Sequence, residues 1–102
     1  MFTEHERELI RRALTDQHAR RQLRQYILPF VDREALRNIN RWDARPEHQS
    51  DFLTAGMSEF DRAFNIYLKN LPENGNIAFS IYFIWWARQA MWTHFEEHRD
   101  DA

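Results

Sequence analysis

Hydrophobic residues recur with the period of an α-helix along nearly the whole chain, in segments separated by polar residues. A Thr-x-x-Glu capping box starts a first helix, which we predict over residues 4–14. Thr15 or Asp16 is placed to cap a second helix, which Pro29 ends, kinks or divides. The apolar face of this segment continues to Trp42. It comprises Leu23, Tyr26, Ile27, Phe30, Val31, Ala35, Leu36 and Ile39.

A third helix is predicted over residues 51–68, after a polar loop and with Ser50 as its N-cap. Gly56 lies inside this helix. Because a glycine there costs about 1 kcal/mol relative to alanine, we expect it to allow close approach of another helix. A turn-forming cluster at residues 71–76 follows. The apolar face is formed by Phe52, Leu53, Met57, Phe60, Ala63, Phe64, Tyr67 and Leu68.

The last helix, predicted from Ser80 as its N-cap to about residue 98, is apolar over most of its circumference. Such a helix is either buried all round or presents one face to a partner. The predicted core stripe is Ile81, Ile84, Ala87, Met91 and Phe95. A neighbouring face holds Tyr82, Trp85, Trp86 and Gln89.

These patterns predict an all-α fold, with one small domain of about four helices over residues 1–102. The chain has 2 glycines, 3 prolines and no cysteine, which argues against an all-β fold, a disulfide framework and a thiolate metal site. We predict no targeting peptide, and no apolar run approaches the roughly 20 residues of a membrane span. A cytoplasmic protein without membrane contact is therefore expected.

Charge is unevenly distributed along the chain. Residues 11–45 hold nine arginines against four acids, a balance of +5, whereas residues 51–102 carry a balance of −4. The basic part could face a phosphate backbone or form a solvated helix face paired with local acids. The net charge of −2 argues against a general polyanion binder.

No arrangement of residues typical of an enzyme is found, and we predict no catalytic residues, cofactor or metal. Glu59 and Asp61 do not share a helix face, and neither a glycine-rich phosphate loop nor a Ser/His/Asp set can be assembled. His94 and His98 have a spacing that can hold a metal, but two ligands are too few. Surface histidines are the preferred interpretation.

Aromatic residues make up 15% of the chain, and seven of them lie between Phe79 and Phe95. Exposed aromatic side chains beside a glutamine and an arginine suit the stacking of unpaired bases, at about 1–3 kcal/mol per base. At helical spacing, an ordinary aromatic core is the alternative interpretation.

The stretch FSIYFIWWARQAM at residues 79–91 resembles region 2 of the sigma-70 family of bacterial RNA polymerase sigma factors. The family pattern there is Phe-Ser-Thr-Tyr, two variable residues, then Trp-Trp-Ile-Arg-Gln-Ala-Ile. The stretch DFLTAGMSEFDRAF at residues 51–64 is similar to the family's Asp-Leu-Ile-Gln-Glu-Gly block. A weaker likeness, YILPFV at residues 26–31, completes the family's order. The three blocks cover about residues 20–95.

The resemblance implies a helical bundle that recognises and melts a −10 promoter element. It implies that Tyr82 stacks on the flipped non-template adenine, and that Trp85 and Trp86 form a wedge at the upstream edge of the bubble. Gln89 would read the upstream base pair of the element. Arg88 completes the implied DNA-binding set.

The resemblance further implies that residues 51–68 dock on the clamp helices of the polymerase β′ subunit. The implied docking residues are Asp51, Thr54, Ala55, Met57, Ser58 and Asp61. The expected partners are bacterial RNA polymerase, promoter DNA and a separate protein that supplies recognition of the −35 element. An exposed aromatic face could also pair two copies of the chain as a homodimer.

A second hypothesis is a sigma-like interaction module that binds RNA polymerase or a sigma regulator without melting DNA. Two departures from the family pattern favour it. Thr54 and Ala55 occupy the positions of the usual Gln-Glu docking pair. The last helix continues into Glu96 and Glu97, where carboxylates repel phosphate and forfeit counterion release.

Overall fold

The computed structural model describes residues 4–70 and 77–98. Within these ranges the chain forms five α-helices: α1 (Glu4–Ala13), α2 (Gln17–Arg41), α3 (His48–Met57), α4 (Phe60–Lys69) and α5 (Phe79–His98). This part of the chain contains no strand, so the prediction of an all-α fold is confirmed. The predicted capping box at Thr3 and the turn cluster at residues 71–76 lie outside the described residues. Among the helices described, none has both the length and the apolar character needed to cross a membrane.

The long helix α2 begins at the second of its two predicted caps. The Asp16 carboxylate accepts a hydrogen bond from the backbone N–H of His18 at 2.9 Å. The helix then runs unbroken for 25 residues with Pro29 inside it, so the predicted interruption is absent. Proline removes one helical hydrogen bond. Ile27 and Val31, fully buried on either side of it, keep the helix packed on the core.

The single helix predicted over residues 51–68 is divided into α3 and α4. The first of these begins at His48, two residues before the expected cap at Ser50. Where the helices part, the Ser58 hydroxyl donates to the Ala55 carbonyl oxygen at 2.7 Å and so competes with the helical hydrogen bonds. Only two residues separate the helices, and the predicted apolar face continues across the break.

The last helix, α5, begins at Phe79, one residue before the expected cap. Ser80 is buried in the first turn, and its backbone N–H donates to Glu6 Oε2 of α1 at 3.4 Å. A carboxylate from another helix therefore satisfies one of the donors that an N-cap side chain would otherwise take.

The predicted core stripe of α5 is correct in part. Ala87 and Met91 are fully buried, whereas Ile84 and Phe95 are half-buried. Ile81 is 45% exposed, so its assignment to the core was wrong. The buried face of α5 is instead formed by Phe79, Ser80, Phe83, Ala87 and Met91.

Aromatic packing between α4 and α5 explains why the buried face of α5 differs from the predicted one. Phe60 lies 5.8 Å from both Phe79 and Phe83, and Phe64 lies 5.3 Å from Phe79, measured between ring centroids. Edge-to-face pairs of this kind add about 0.5–1.5 kcal/mol beyond area burial. Because an isoleucine makes no such contact, Ile81 is turned to the surface.

The core is shared by all five helices. α2, α3 and α5 contact one another, α1 packs on α2, and α4 packs on α5. A Cβ atom at Gly56 would lie 3.0 Å from Val31 Cγ1 and 3.1 Å from both Ala87 Cβ and Met91 Cε. The prediction that this glycine allows close helix approach is therefore confirmed.

Candidate nucleic-acid interface

The predicted aromatic face of α5 is partly exposed. Trp85 is 53% exposed, Gln89 is exposed, and Tyr82 and Trp86 are half-buried. Their spacing on one helix places the Tyr82 ring centroid 6.5 Å from that of Trp85 and 6.4 Å from that of Trp86. Tyr82 also packs on Tyr67 at 5.2 Å. The face is thus anchored to the core at Tyr82 and open to solvent at Trp85.

A shallow cavity of about 320 Å³ lies on this face, lined by Trp85, Trp86 and Gln89. Arg62 of α4 places its guanidinium carbon 5.5 Å from the centroid of the Trp86 ring. A cation over an indole face is attracted by the ring quadrupole, at about 0.5–1 kcal/mol where the site is exposed. The arrangement offers a cluster of rings, tilted by 55–59° from the plane of Tyr82, with a positive charge and an amide at its edge.

Arg88, the remaining member of the implied DNA-binding set, is engaged inside the protein. Its Nε donates to Glu34 Oε2 at 2.8 Å, and Glu34 is 2% exposed. Arg37 and Arg41 lie 3.4 Å and 3.9 Å from the same carboxylate. Three guanidinium groups therefore surround one buried carboxylate, and Arg88 serves first as a partner of that charge.

Sequence reasoning missed an extension of the aromatic face on α2. A cavity of about 400 Å³ separates the two helices, and its lining includes Tyr26, Phe30, Ile84 and Trp85. Arg33 lies over the Phe30 ring, with its guanidinium carbon 5.0 Å from the ring centroid. Tyr26 and Phe30 lie four residues apart beside Arg33, and this pattern could have indicated the extension. The sequence pattern assigned Tyr26 and Phe30 to the core face instead.

A second group of rings lies near the C-terminal end of α5. Trp42 stacks on Phe95 at 5.7 Å and 25°, and it meets Trp92 edge-on at 5.0 Å. Phe52 of α3 lies 5.7 Å from Trp42. These rings pack on one another across three helices, so ordinary aromatic packing accounts for this part of the aromatic density. Trp92 remains 40% exposed.

The implied docking residues do not form one uniform surface. Thr54, Met57 and Ser58 line a groove of about 540 Å³ between α2 and α3, with Arg24 on the opposite wall. Met57 is buried, and its carbonyl oxygen accepts a hydrogen bond from Arg24 Nη1 at 3.3 Å. Thr54 and Ser58 are exposed. The groove is therefore lined by apolar side chains, Leu28, Leu53 and Met57, as well as by hydroxyls and arginine.

The two acidic members of the docking set are exposed and face positively charged or titratable groups. Asp61 pairs with Arg20 of α2 at 3.6 Å. Asp51 lies 4.0 Å from His48 and 3.9 Å from His94. Each carboxylate is thus exposed to solvent and also lies close to a side chain from another helix.

The structure brings two residues of each implied set to one groove between α3 and α5. Ala55 and Ser58 line one wall of this groove, whose volume is about 410 Å³, and Trp86 and Gln89 line the other. The walls of the groove also carry Glu59, Arg62, His94 and Glu97. Residues that the sequence assigned to DNA and to polymerase are therefore neighbours in space.

No family model, no curated protein and no solved structure matches this chain. The likeness of residues 51–64 and 79–91 to sigma region 2 therefore stays a prediction. A functional interpretation depends on the exposed rings of α5, the cation beside them and the groove that joins them to α3.

Proposed function

We propose that the protein acts in transcription initiation in the manner of sigma region 2. It binds a −10-like promoter element through the aromatic face of α5 and docks on the RNA polymerase β′ clamp helices through α3 and α4. The observation that carries the proposal is the 53% exposure of Trp85 beside Tyr82 and Trp86. Because hydration of an exposed indole is unfavourable, a cluster of partly exposed rings is typical of an interaction surface.

The proposed mechanism is binding without covalent chemistry. A base that leaves the duplex stacks on the face formed by Tyr82 and Trp85, which returns about 1–3 kcal/mol per base. That gain offsets an unstacking cost of a few kcal/mol. The exposed Gln89 amide can pair with the edge of an adenine, and Arg62 adds positive charge beside Trp86.

Docking on polymerase is proposed for the outer surface of α3 and the start of α4. Thr54, Ser58 and Asp61 are exposed there and offer hydroxyl and carboxylate groups to basic or polar residues of a partner. Because Ser58 also lines the groove shared with Trp86, a polymerase helix on this surface would border the bound DNA strand.

Binding of a labelled single strand that carries a −10-like element, measured with and without core RNA polymerase, tests the DNA-binding part. Trp85→Ala should reduce binding by about 5- to 150-fold, the equivalent of 1–3 kcal/mol of stacking. Trp92→Ala is the matched control, since it removes a partly exposed tryptophan of the same helix outside this face. Equal binding by wild type and Trp85→Ala would refute the role of the aromatic face.

A second candidate, a sigma-like module that binds a protein without melting DNA, is favoured by one observation. Glu59 and Glu97 line the same groove as Trp86 and Gln89. Carboxylates close to the proposed strand repel phosphate and favour a protein partner. In this case polymerase or regulator binding should survive Trp86→Ala.

A negative charge introduced on the docking surface tests whether the chain binds a protein partner through α3. Thr54→Glu should reduce co-purification of polymerase under the first candidate, and of polymerase or a regulator under the second, because Thr54 is exposed on α3. Asn65→Glu places the same charge at an exposed position of α4 and serves as the control. Unchanged co-purification with Thr54→Glu would contradict docking through α3.

A further inference from the structure

Two histidines and an aspartate converge where the start of α3 meets the last two turns of α5. His48, Asp51 and His94 each offer one ligand atom, and these three atoms all lie within 4.8 Å of one another. We propose that they form a binding site for a divalent transition-metal ion of the zinc class. The proposal is independent of any role in transcription.

Two of the three separations between the ligand atoms are close to those around a bound ion, and the third, between the two histidines, is no longer than 4.8 Å. His48 Nδ1 lies 4.0 Å from Asp51 Oδ2, and His94 Nε2 lies 3.9 Å from the same oxygen. Tetrahedral zinc, with bonds of about 2.0–2.1 Å, holds its nitrogen and oxygen ligands about 3.3–3.4 Å apart. Each of the two measured separations must therefore shorten by only about 0.6 Å, which small side-chain rotations can supply.

The two imidazoles are held in place by the core. Phe52, which is fully buried, stacks on His48 with 6.0 Å between ring centroids and meets His94 edge-on at 6.0 Å. The histidine side chains are 26% and 24% exposed, and the Asp51 side chain is 60% exposed. A site of this kind is anchored on its inner side and open to water on its outer side. It can therefore complete its coordination with solvent.

The ligand types select the class of ion. Imidazole nitrogen suits Zn²⁺, Ni²⁺, Co²⁺ and Cu²⁺, whereas Mg²⁺ and Ca²⁺ prefer sites built of oxygen. Two imidazoles and one carboxylate therefore indicate a transition metal rather than an alkaline-earth ion.

His98 lies next to this site without belonging to it. Its ring stacks on that of His94 at 4.2 Å, and its Nδ1 donates to the His94 carbonyl oxygen at 2.8 Å. The pair that the sequence pattern singled out, His94 and His98, is thus a stacked pair. The proposed ligands come instead from two helices, and His98 provides a matched control.

Titration of zinc chloride into the whole chain, followed by calorimetry in a buffer that does not chelate, tests the site. We expect one ion per chain and a melting temperature that rises with zinc concentration, since the ion binds only where folding brings the ligands together. Cobalt(II) added in place of zinc should absorb visible light more strongly when bound to the protein than as the free aqueous ion. His94→Gln and Asp51→Asn should each weaken zinc binding by more than about 10-fold. Loss of a residue that only hydrogen-bonds a metal ligand already lowers metal affinity by about 10- to 100-fold, and loss of a ligand should cost at least as much.

The same titration of His98→Gln should give an affinity within a few-fold of wild type. Circular dichroism of each variant without metal separates loss of a ligand from loss of the fold. Absence of stoichiometric zinc binding in the wild type would overturn the proposal. So would unchanged binding in a folded His94→Gln, or a loss in His98→Gln as large as that in His94→Gln.

Discussion

Arg88 Nε donates to Glu34 Oε2 at 2.8 Å and so joins the middle of α5 to the C-terminal half of α2. The carboxylate is buried, and Arg37 and Arg41 approach it from its own helix at 3.4 Å and 3.9 Å. A buried charge is stable only when it is paired and hydrogen-bonded. The contact therefore ties the proposed interface helix to the longest helix of the described chain.

Loss of the buried carboxylate should destabilise the fold. Glu34→Ala leaves Arg88 without its hydrogen-bond acceptor and opens a cavity, so we expect a loss of about 2–3 kcal/mol in the free energy of unfolding. This is less than the usual cost of about 3–5 kcal/mol for removing one partner of a buried ion pair, because Arg88 is partly hydrated. Urea denaturation followed by circular dichroism measures it. Asp32→Ala removes an exposed acid from the same helix and should cost less than about 1 kcal/mol. Equal losses in the two variants would contradict a structural role for the Glu34 network.

Gly56→Ala should destabilise the protein although alanine is the better helix former. The new methyl group would lie 3.0 Å from Val31 Cγ1 and 3.1 Å from Ala87 Cβ. Overpacking costs about 1–3 kcal/mol, which exceeds or matches the gain of about 1 kcal/mol in helix propensity. We therefore expect a net loss of up to about 2 kcal/mol in the unfolding free energy, measured by urea denaturation.

A second substitution distinguishes this crowding from other effects. Val31→Ala removes the methyl group closest to the new Cβ, so the double variant should lose less stability than the sum of the two single variants. Thr54→Ala, at an exposed position of the same helix, should change stability by less than about 0.5 kcal/mol. A stabilised Gly56→Ala would show that the neighbouring side chains give way.

The stability of the protein should fall at high pH because of Tyr67. Burial raises the pKa of its phenol from 10.0 to about 12, with a further contribution from the charge of Glu6. The hydroxyl also donates to the Ile77 carbonyl oxygen at 2.6 Å. Above pH 10 the unfolded chain releases this proton while the folded protein keeps it, so the free energy of unfolding decreases as pH rises from about 10 to about 12.

The loss from this residue should reach roughly 2–3 kcal/mol at the upper end of that range. A spectrophotometric titration should show one of the three tyrosines ionising late, and the late step should be missing in Tyr67→Phe. The same absorbance change near pH 12 in wild type and in Tyr67→Phe would contradict this prediction.

The sequence predicted the bounds of α1 and α5 to within two residues, but it expected an interruption of α2 at Pro29 and treated α3 and α4 as one helix. It misplaced the core stripe of α5 because that helix is apolar on nearly every side, so its periodicity does not indicate which side is buried. The rings of Phe60 and Phe64 on α4 decide that question, and Ile81 is turned outward. The predicted interruption at Pro29 was wrong, because the packing of the buried neighbours Ile27 and Val31 outweighs the low helix propensity of proline.

The candidate sites show the same limit. Tyr82, Trp85, Trp86 and Gln89 share one helix, so their spacing alone could place them on one face. The cluster of His48, Asp51 and His94 joins residues from two helices that are far apart in the chain, and only the packing of α3 against α5 brings them together. Arg88 was assigned to the interface because its buried partner Glu34 could not be recognised from the sequence.

The two aromatic residues Phe83 and Trp85 should respond in opposite ways to truncation. Phe83 is fully buried, so Phe83→Ala should cost about 3–5 kcal/mol of unfolding free energy. Trp85 is 53% exposed, so Trp85→Ala should cost less than about 1.5 kcal/mol and leave the circular dichroism spectrum unchanged.

Urea denaturation of both variants, together with the strand-binding assay, connects this difference to function. If the exposed ring stacks on a base, Trp85→Ala loses strand affinity while remaining folded, and Trp85→Phe recovers part of that affinity because it restores an aromatic surface. Ile81→Ala shortens an exposed apolar side chain one turn earlier on α5 and serves as the stability control. Should Trp85→Ala unfold the protein as readily as Phe83→Ala, the ring would be a packing residue, and the proposed promoter-binding face would lose the observation that carries it.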